Sequence, residues 1–566
     1  MDEKFWDDKR PPGVTNSINL DAFPSVLSLI ESAFSKQAIK PAFTGIGHTL
    51  TFADVDRYSK RFASYLQHYT DLKPGDRIAI QMPNLLQFPI AVYGAIRAGL
   101  VLVNTNPLYT TREMRHQFKD SQVKALVFLD VFGHMIEEVI QDTDIKYLIC
   151  TRVADMLPFP KKSLINFAAK HIKKIVKPFS LDNVVPFLTA LKKGKIASYS
   201  PPPPAALDAP VVLQYTGGTT GVSKGAILTQ KNLIANMLQS QAVLLQEDSN
   251  GKRLLNHGQE IIVAPLPLYH IYAFTVHLLC LPALGNHSIL IANPRDMTTF
   301  IKFIKPWKFT GFVGLNTLFV GMLNHPDFSA KDFASLKFTL SGGTALQKDV
   351  AHRWEKMTNC QISEAYGLTE CSPAVCINPI DGASQLGTAG LPVPETQLKT
   401  VDQHGSETLF GTPGELCVKG PQVMKGYWQN QEATDQVLSK DGWLKTGDVA
   451  VIQEDGYVKI VDRIKDMILV SGFNVYPNEI EGVVAANKKV ENCAAIGIPD
   501  EKTGEKVKLF VIASDSSLTS EELVSYCRAN MTAYKVPKEV EFCSSLPMTP
   551  VGKILRKELR QEELSS

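Results

Sequence analysis

The chain has almost no net charge for its size. Its 59 Lys and Arg residues against 57 Asp and Glu leave +2 over 566 residues. A dedicated nucleic-acid binder shows a large basic excess, so that class is disfavoured. Paired cysteines are missing too. The nine are scattered without a C-x-x-C, and the nearest two, Cys371 and Cys376, lack a partner pair for zinc. Such a set reads as reduced, buried thiols of a cytosolic protein. The first residues, MDEKFWDDKR, lack the apolar centre of a signal peptide. Also lacking is a long apolar run free of turn formers. Residues 261–294 contain no Asp, Glu, Lys or Arg, but Pro265, Pro267, His270, His277, Pro282, Asn286 and His287 interrupt them. That pattern suits buried strands and a helix joined by turns better than one membrane helix.

What is present fits a soluble globular protein: 44% apolar and 20% charged residues, over a length that needs several domains. Strand-like RIAIQM (77–82), LVLVN (100–104) and ALVFL (125–129) alternate with helix-like stretches at 87–98 and from Thr111. Such alternation predicts parallel strands with crossover helices, a doubly wound α/β layer. A second set is expected through VVLQYT (211–216), IIVAPLP (261–267), SILIA (288–292), FTGFVG (309–314) and LKFTLSGG (336–343). From about Leu391 short alternating strands (ETQLKTVD, GELCVKG, GYVKIVD) predict a small β-rich, barrel-like subdomain. After DRIKDMILVSG (462–472), helix-like 478–487 and 520–529 mix with strand-like 494–499 and 508–513. The expected fold class is therefore α/β. Two doubly wound subdomains and a β-rich one form a large N-terminal domain, 1–462. A small mobile α+β domain, 463–566, follows on a flexible joint.

Residues 161–195 hold nine lysines (161, 162, 170, 173, 174, 177, 192, 193 and 195) against one acid, Asp182. Apolar Leu164, Ile165, Ala168, Ile172, Ile175, Val176 and Phe179 fall near helical spacing. A basic amphipathic helix of this kind can lie on an anionic membrane, and a solvated surface helix would look the same. PPPP at 201–204 then marks a stiff, extended entry to the next strands.

The chemistry is concentrated in QYTGGTTGVSKG (214–225). Gly217, Gly218 and Gly221 let the backbone turn so that successive N–H groups converge on an anion. Thr216, Thr219, Thr220 and Ser223 add hydroxyls, and Lys224 adds a positive charge. A Walker A loop is excluded, because Lys224 is preceded by Ser223 and followed by Gly225. A plain Gly-rich turn between strands remains the bland reading.

Five further pieces follow in order: PLPLYHIYAF (265–274), EAYGLTE (364–370), GWLKTGDVA (442–450), DRIKDMILVSGFNVYPNEIE (462–481) and PVGKILR (550–556). Together with the loop they resemble, over nearly the whole chain, the adenylate-forming superfamily, and within it bacterial long-chain fatty-acid–CoA ligases. The resemblance implies that the loop holds the β and γ phosphates of ATP. It implies Glu370 as a Mg²⁺ ligand and Thr369 as a donor to the α-phosphate. Tyr366 of Y-G-x-T-E, beside Gly367, would stack on adenine, with the Ser341–Gly342–Gly343 backbone opposite. Asp448 and Arg463 would take the ribose. Lys553 would bridge carboxylate and α-phosphate during adenylation. Lys465 matches the hinge, and Gly472 would face the pantetheine tunnel of CoA in a second orientation. His270 would sit where carboxylate and pantetheine meet, although a histidine in an apolar run is more often core. Tyr269, Ile271, Tyr272, Phe274, Leu315, Asn316 and Thr317 are acyl-pocket candidates. Ala365, the SGGTAL run (341–346) and Ile464 depart from the commoner family residues. The first two touch the adenine and acyl walls, so chain length carries over less safely than the reaction.

The implied activity is ATP-dependent synthesis of a fatty acyl-CoA through acyl-AMP, with fatty acid, ATP and CoA as partners and no nucleic acid. Peripheral membrane association and a homodimer are left open. Rival readings are a ligase for a medium-chain or aryl acid, an acyl-AMP ligase loading a carrier protein, and a non-catalytic lipid-binding protein. The last has no need of Lys553, Glu370 and Asp448 together.

Overall fold

The computed structural model describes residues 4–216, 223–247, 251–328, 333–549 and 553–565. Strands Arg77–Gln81, Val101–Asn104 and Val123–Leu129 pair in parallel, and nearly every residue in them is buried. Both of their faces are covered, which is why they read as continuous apolar runs. Their seven-stranded sheet runs Val185–Pro186, Tyr147–Thr151, Val123–Leu129, Arg77–Gln81, Val101–Asn104, Pro210–Tyr215, Gly225–Thr229. The second sheet has nine strands. Ile362–Gly367, Phe338–Gly342, Gly311–Gly314, Ile261–Ala264 and His287–Leu290 lie side by side in parallel at its centre. Helix Gln87–Arg97 has all eleven residues buried, and Arg97 is held at 2.6 Å by both Glu31 and Asp56.

Two assignments change. The strand at 210–215, expected with the second set, belongs to the first sheet, beside Val101–Asn104. The second sheet instead takes Pro41–Gly45, parallel to His287–Leu290, and His48–Thr51 at its edge. Strand composition fixes the pairing surface but not the partner, which depends on distant segments.

The β-rich subdomain is a four-stranded antiparallel sheet: Gln397–Val401, Gly414–Lys419, Leu444–Ile452, Val458–Arg463. The C-terminal part has its own five-stranded sheet and a core of its own, with Val475, Ile480, Val484, Leu509, Val511 and Leu523. Residues 261–294 form strand, short helix, π-helical turn and strand, as their prolines and glycine suggest. Among the described residues no helix is long and apolar enough to cross a membrane. All nine cysteines are free thiols, seven of them buried.

The lysine-rich stretch is not one helix. It comprises helix Lys161–Phe167, a π-helical turn Ala168–Ile172, an irregular return, and helix Phe187–Ile196. Lys173 and the residues after it leave the helical path, so the helical spacing read from the sequence holds only to Ile172.

Candidate active site

The parallel strands of the second sheet end at one edge, where open α/β sheets take their ligands. Register puts Ser341 opposite Glu364 and Gly342 opposite Ala365, so Ser341, Gly342 and Tyr366 meet there. Gly314 pairs with Ser341, which brings Leu315, Asn316 and Thr317 to the same edge. Gly343 turns the chain with φ +84°, a conformation that side chains disfavour. Gly342 faces Tyr272, and a Cβ there would lie 3.0 Å from the tyrosine ring. Among the described residues, the hydroxyls of Ser341, Thr344 and Tyr272 are buried without a hydrogen-bond partner. Buried hydroxyls seldom go unpaired, so this edge suits a ligand rich in polar groups. Gly367 has a steric role of its own, since a Cβ would lie 2.2 Å from the Pro373 carbonyl oxygen.

Asp448 comes from the antiparallel subdomain and stands beside Arg463 of the neighbouring strand. Tyr366 donates its phenol to Asp448 Oδ2 at 2.6 Å, and Arg463 Nε lies 3.3 Å from Oδ1. Burial and the Asp448 charge push the Tyr366 phenol well up, so it remains a donor. Each carboxylate oxygen retains a lone pair for one further donor.

Glu370 lies in the short helix Thr369–Cys371, directly after the Tyr366 strand. Tyr427 donates its hydroxyl to Glu370 Oε1 at 2.7 Å, and Lys224 Nζ sits 5.2 Å from the centre of the same tyrosine ring. Lys224 is thereby brought to Glu370 from a different sheet. Gly217, Gly218, Thr219, Thr220 and Gly221 lie outside the described residues. Both ends of their loop are fixed: Thr216 N donates to Lys224 O at 3.0 Å, and Tyr215 pairs antiparallel with Gly225. The loop therefore links two antiparallel strands, whereas a Walker A loop leads into a helix. Ser223 and Lys224 border a cleft of about 160 Å³, lined also by His116, Asp120, Trp428 and Asn430.

Lys553 reaches this edge from the C-terminal part. A Cβ on Gly343 would lie 3.9 Å from Lys553 Cε. Burial, then repulsion by Arg463 and Lys465, lowers its ammonium to about 8, against the pull of Asp448 and Glu370. Lys465 is also lowered to about 8, by burial and then Arg463. Lys553 is held by Thr549, whose N–H donates to the Lys553 carbonyl at 2.7 Å and whose hydroxyl accepts from Lys553 N at 3.0 Å. Arg556, three residues on, grips Glu481 at 2.6 Å and Asn478 at 2.8 Å, while Asn478 N donates to Asp462 at 2.7 Å. Those bonds tie the Lys553 segment to the joint.

His270 caps helix Ile271–Phe274 and accepts weakly from Tyr272 N at 3.4 Å. Burial, with Lys553 adding to it, pulls its imidazole down to about 4, so it is neutral at neutral pH. Tyr269, Ile271 and Phe274 are buried on the same run. Asn316 Oδ1 accepts from Gln347 N at 3.0 Å, which leaves Leu315 as the apolar candidate there, with the Thr317 hydroxyl beside it. Gly472 does not join the site. It is exposed, with φ +82° and nothing near its Cβ position.

Tyr427 was not foreseen as a site residue. It sits in KGYW, which resembles a core aromatic pair, and only its hydroxyl partner reveals it. Glu364 is the other addition. Burial raises its carboxyl to about 7 against hydrogen bonds from the Gly387 and Leu346 amides.

An α/β enzyme that works on a nucleotide at the seam of two domains is the class this arrangement defines. The chain belongs to the AMP-binding enzyme family: the family profile matches residues 30–428, and the profile of the AMP-binding enzyme C-terminal domain matches 479–553. It is 48% identical, over 99% of its length and 98% of the relative's, to a long-chain-fatty-acid–CoA ligase of Yersinia pestis. Its fold matches an anthranilate CoA ligase in complex with anthranoyl-AMP, with TM-score 0.85, 22% identity, and 97% and 99% of the two chains covered. It also matches ATP-bound MatB from Rhodopseudomonas palustris, with TM-score 0.76, 25% identity, and 95% and 99% covered.

Proposed function

We infer that this protein is an ATP-dependent fatty acyl-CoA synthetase of the long-chain type. The observation that carries the reading is Lys553. The C-terminal part carries this lysine to the strand edge of Gly343 and Tyr366, within reach of the charges of Asp448, from the antiparallel subdomain, and Glu370. The near-full-length similarity to a long-chain-fatty-acid–CoA ligase supports the same activity.

A fatty acid carboxylate oxygen attacks the α-phosphorus of ATP. The new O–P bond forms as the α–β bond breaks, giving acyl-AMP and pyrophosphate. Two anions approach one another, so cations placed in advance are the catalytic requirement. Lys553 would sit between the carboxylate and the α-phosphate, with Thr369 donating beside it. Asp448 and Arg463 would hold the ribose, Tyr366 the adenine, and the loop from Thr216 to Lys224 the β and γ phosphates. Neutral His270 can approach the carboxylate without a competing proton. In the second step the CoA thiolate attacks the acyl carbon, and AMP leaves as the C–S bond forms. Withdrawal of Lys553 and approach of the Gly472 face, by rotation about Lys465, would open the path for pantetheine.

No group of three or more metal-ligating side chains occurs among the described residues. Glu370 is a lone carboxylate with one oxygen bonded to Tyr427. That donor set fits Mg²⁺ carried chiefly by phosphates, where it would screen their charge. The reading extends to a cytoplasmic protein at the membrane surface, with a homodimer tested by light scattering.

Mass spectrometry of products tests the function. Mg-ATP, CoA and an equimolar series of fatty acids should yield AMP and acyl-CoA, and the series reads out chain length. Acyl-adenylate alone would indicate a carrier-protein partner, and ADP would sink adenylation. Lys553→Ala should cut adenylation by about 10²–10³-fold while supplied acyl-AMP is still converted.

A further inference from the structure

Helix Lys161–Phe167 buries none of its residues, and the π-helical turn after it buries only Ala169. Phe159, Leu164, Phe167 and Ile172 are 82%, 64%, 59% and 70% exposed. Eight of the nine lysines are exposed, and none forms a salt bridge among the described residues.

The segment is nevertheless anchored. Asn166 accepts from Ala154 N at 2.9 Å and donates to Asp155 at 3.2 Å. Phe179 packs on Gly133, where a Cβ would lie 2.3 Å from its ring. The exposed apolar side chains thus stand on a fixed platform, and Phe167, whose ring lies 4.7 Å from that of His171, still leaves 59% of its surface in water. Nearby acids are few: Asp130, near Lys170, Glu137, which accepts from Ser180 N, and Asp296, near Lys173. Asp155 beneath is buried and Asp182 is the sole acid in the segment.

We propose that residues 159–177 form a docking face for an anionic lipid bilayer. Lysines at its margin match lipid phosphates, and phenylalanine and isoleucine match the apolar layer below. A nucleic acid or an acidic protein would use the lysines but leave the large apolar side chains in water. The lysines of this face are also linked, through Asp296 and Arg295, to the side of Tyr269, an acyl-pocket candidate. After the Thr299 hydroxyl and amide, Lys173 helps hold the Asp296 carboxyl low, and Arg295 next to it acts on Tyr269. Delivery of a fatty acid from the bilayer to that side rests on the function proposed above; the lipid contact does not.

The test is flotation of the full-length protein with vesicles of phosphatidylcholine, with and without phosphatidylglycerol. The wild type should float with the anionic vesicles alone and lose binding as salt rises. Replacement of Lys161, Lys170, Lys173, Lys174 and Lys177 by Gln should lower the bound-to-free ratio by about tenfold or more. Phe159→Ser with Phe167→Ser and Ile172→Ser should lower it as well. Both variants should still turn over detergent-dispersed acid, which shows that they are folded. Wild type that stays with the soluble fraction, or variants that float like wild type, overturn the proposal. Hydrogen exchange reads the same face without substitution: residues 159–177 should gain protection on anionic vesicles, and unchanged exchange also overturns it. Patch-dependent flotation without acyl-CoA formation would leave the docking face standing and remove the fatty-acid reading.

Discussion

Lys553 owes its chemistry to its neighbours. Burial and Arg463 lower its ammonium to about 8, so it is charged below that pH and neutral above. Adenylation needs the charged form. In the free enzyme, kcat/KM for ATP should therefore fall as pH rises through about 8, and Lys553→Arg should flatten that limb at a lower rate. A limb unmoved by the substitution would assign it to another group. His270, pulled down to about 4, should contribute nothing between pH 5 and 8. Tyr427 is the residue whose role only geometry shows. Tyr427→Phe removes the donor to Glu370, and a hydrogen bond to a charged group is worth about 1.5–3 kcal/mol. The expected outcome is a fall of tenfold or more in kcat/KM for Mg-ATP, with acyl-AMP turnover unchanged. Glu370, Asp448 and Lys553 were legible because each lies in a short, distinctive string. Tyr427 lies 57 residues from its partner, in a string that resembles core packing.

At the level of elements, the site depends on where strands stop and how the Lys553 segment is braced. Thr549 closes on Lys553 through two hydrogen bonds, and Met548 bridges Ile554. Thr549→Val keeps the size of the side chain but removes the acceptor for Lys553 N. Adenylation should drop several-fold while conversion of supplied acyl-AMP stays the same; equal loss in both steps would mark general destabilisation instead. Many of the strands were readable from apolar runs, but Pro41–Gly45, His48–Thr51, Tyr147–Thr151 and Ile362–Gly367 were not. Sheet membership was not readable either. VVLQYT was recognisable as a strand, yet its place beside Val101–Asn104 depends on residues over a hundred positions away. The lysine-rich stretch shows the converse error: helical spacing continued in the sequence past Ile172, where the chain turns away.

For the whole molecule, the proposed function calls for two orientations of the C-terminal part. Here Lys553 is inserted and Gly472 is exposed, the arrangement suited to adenylation. Lys465, in the short helix Ile464–Asp466, lies at the joint. Lys465→Pro restricts backbone rotation there. Pyrophosphate release in the first step should survive, and acyl-CoA formation should fall by orders of magnitude; equal rates in both steps would remove Lys465 as the hinge. The sequence by itself determined the family, the α/β class, the order of the chemical groups and the presence of a separate C-terminal part, because motifs and apolar periodicity are local. Only the tertiary structure decided which strands share a sheet, that Tyr427 stands on Glu370, that burial lowers Lys553, and that the lysines of 161–177 stand among exposed phenylalanine and isoleucine. Each of these arises from contacts between distant segments, whose energies no local pattern encodes.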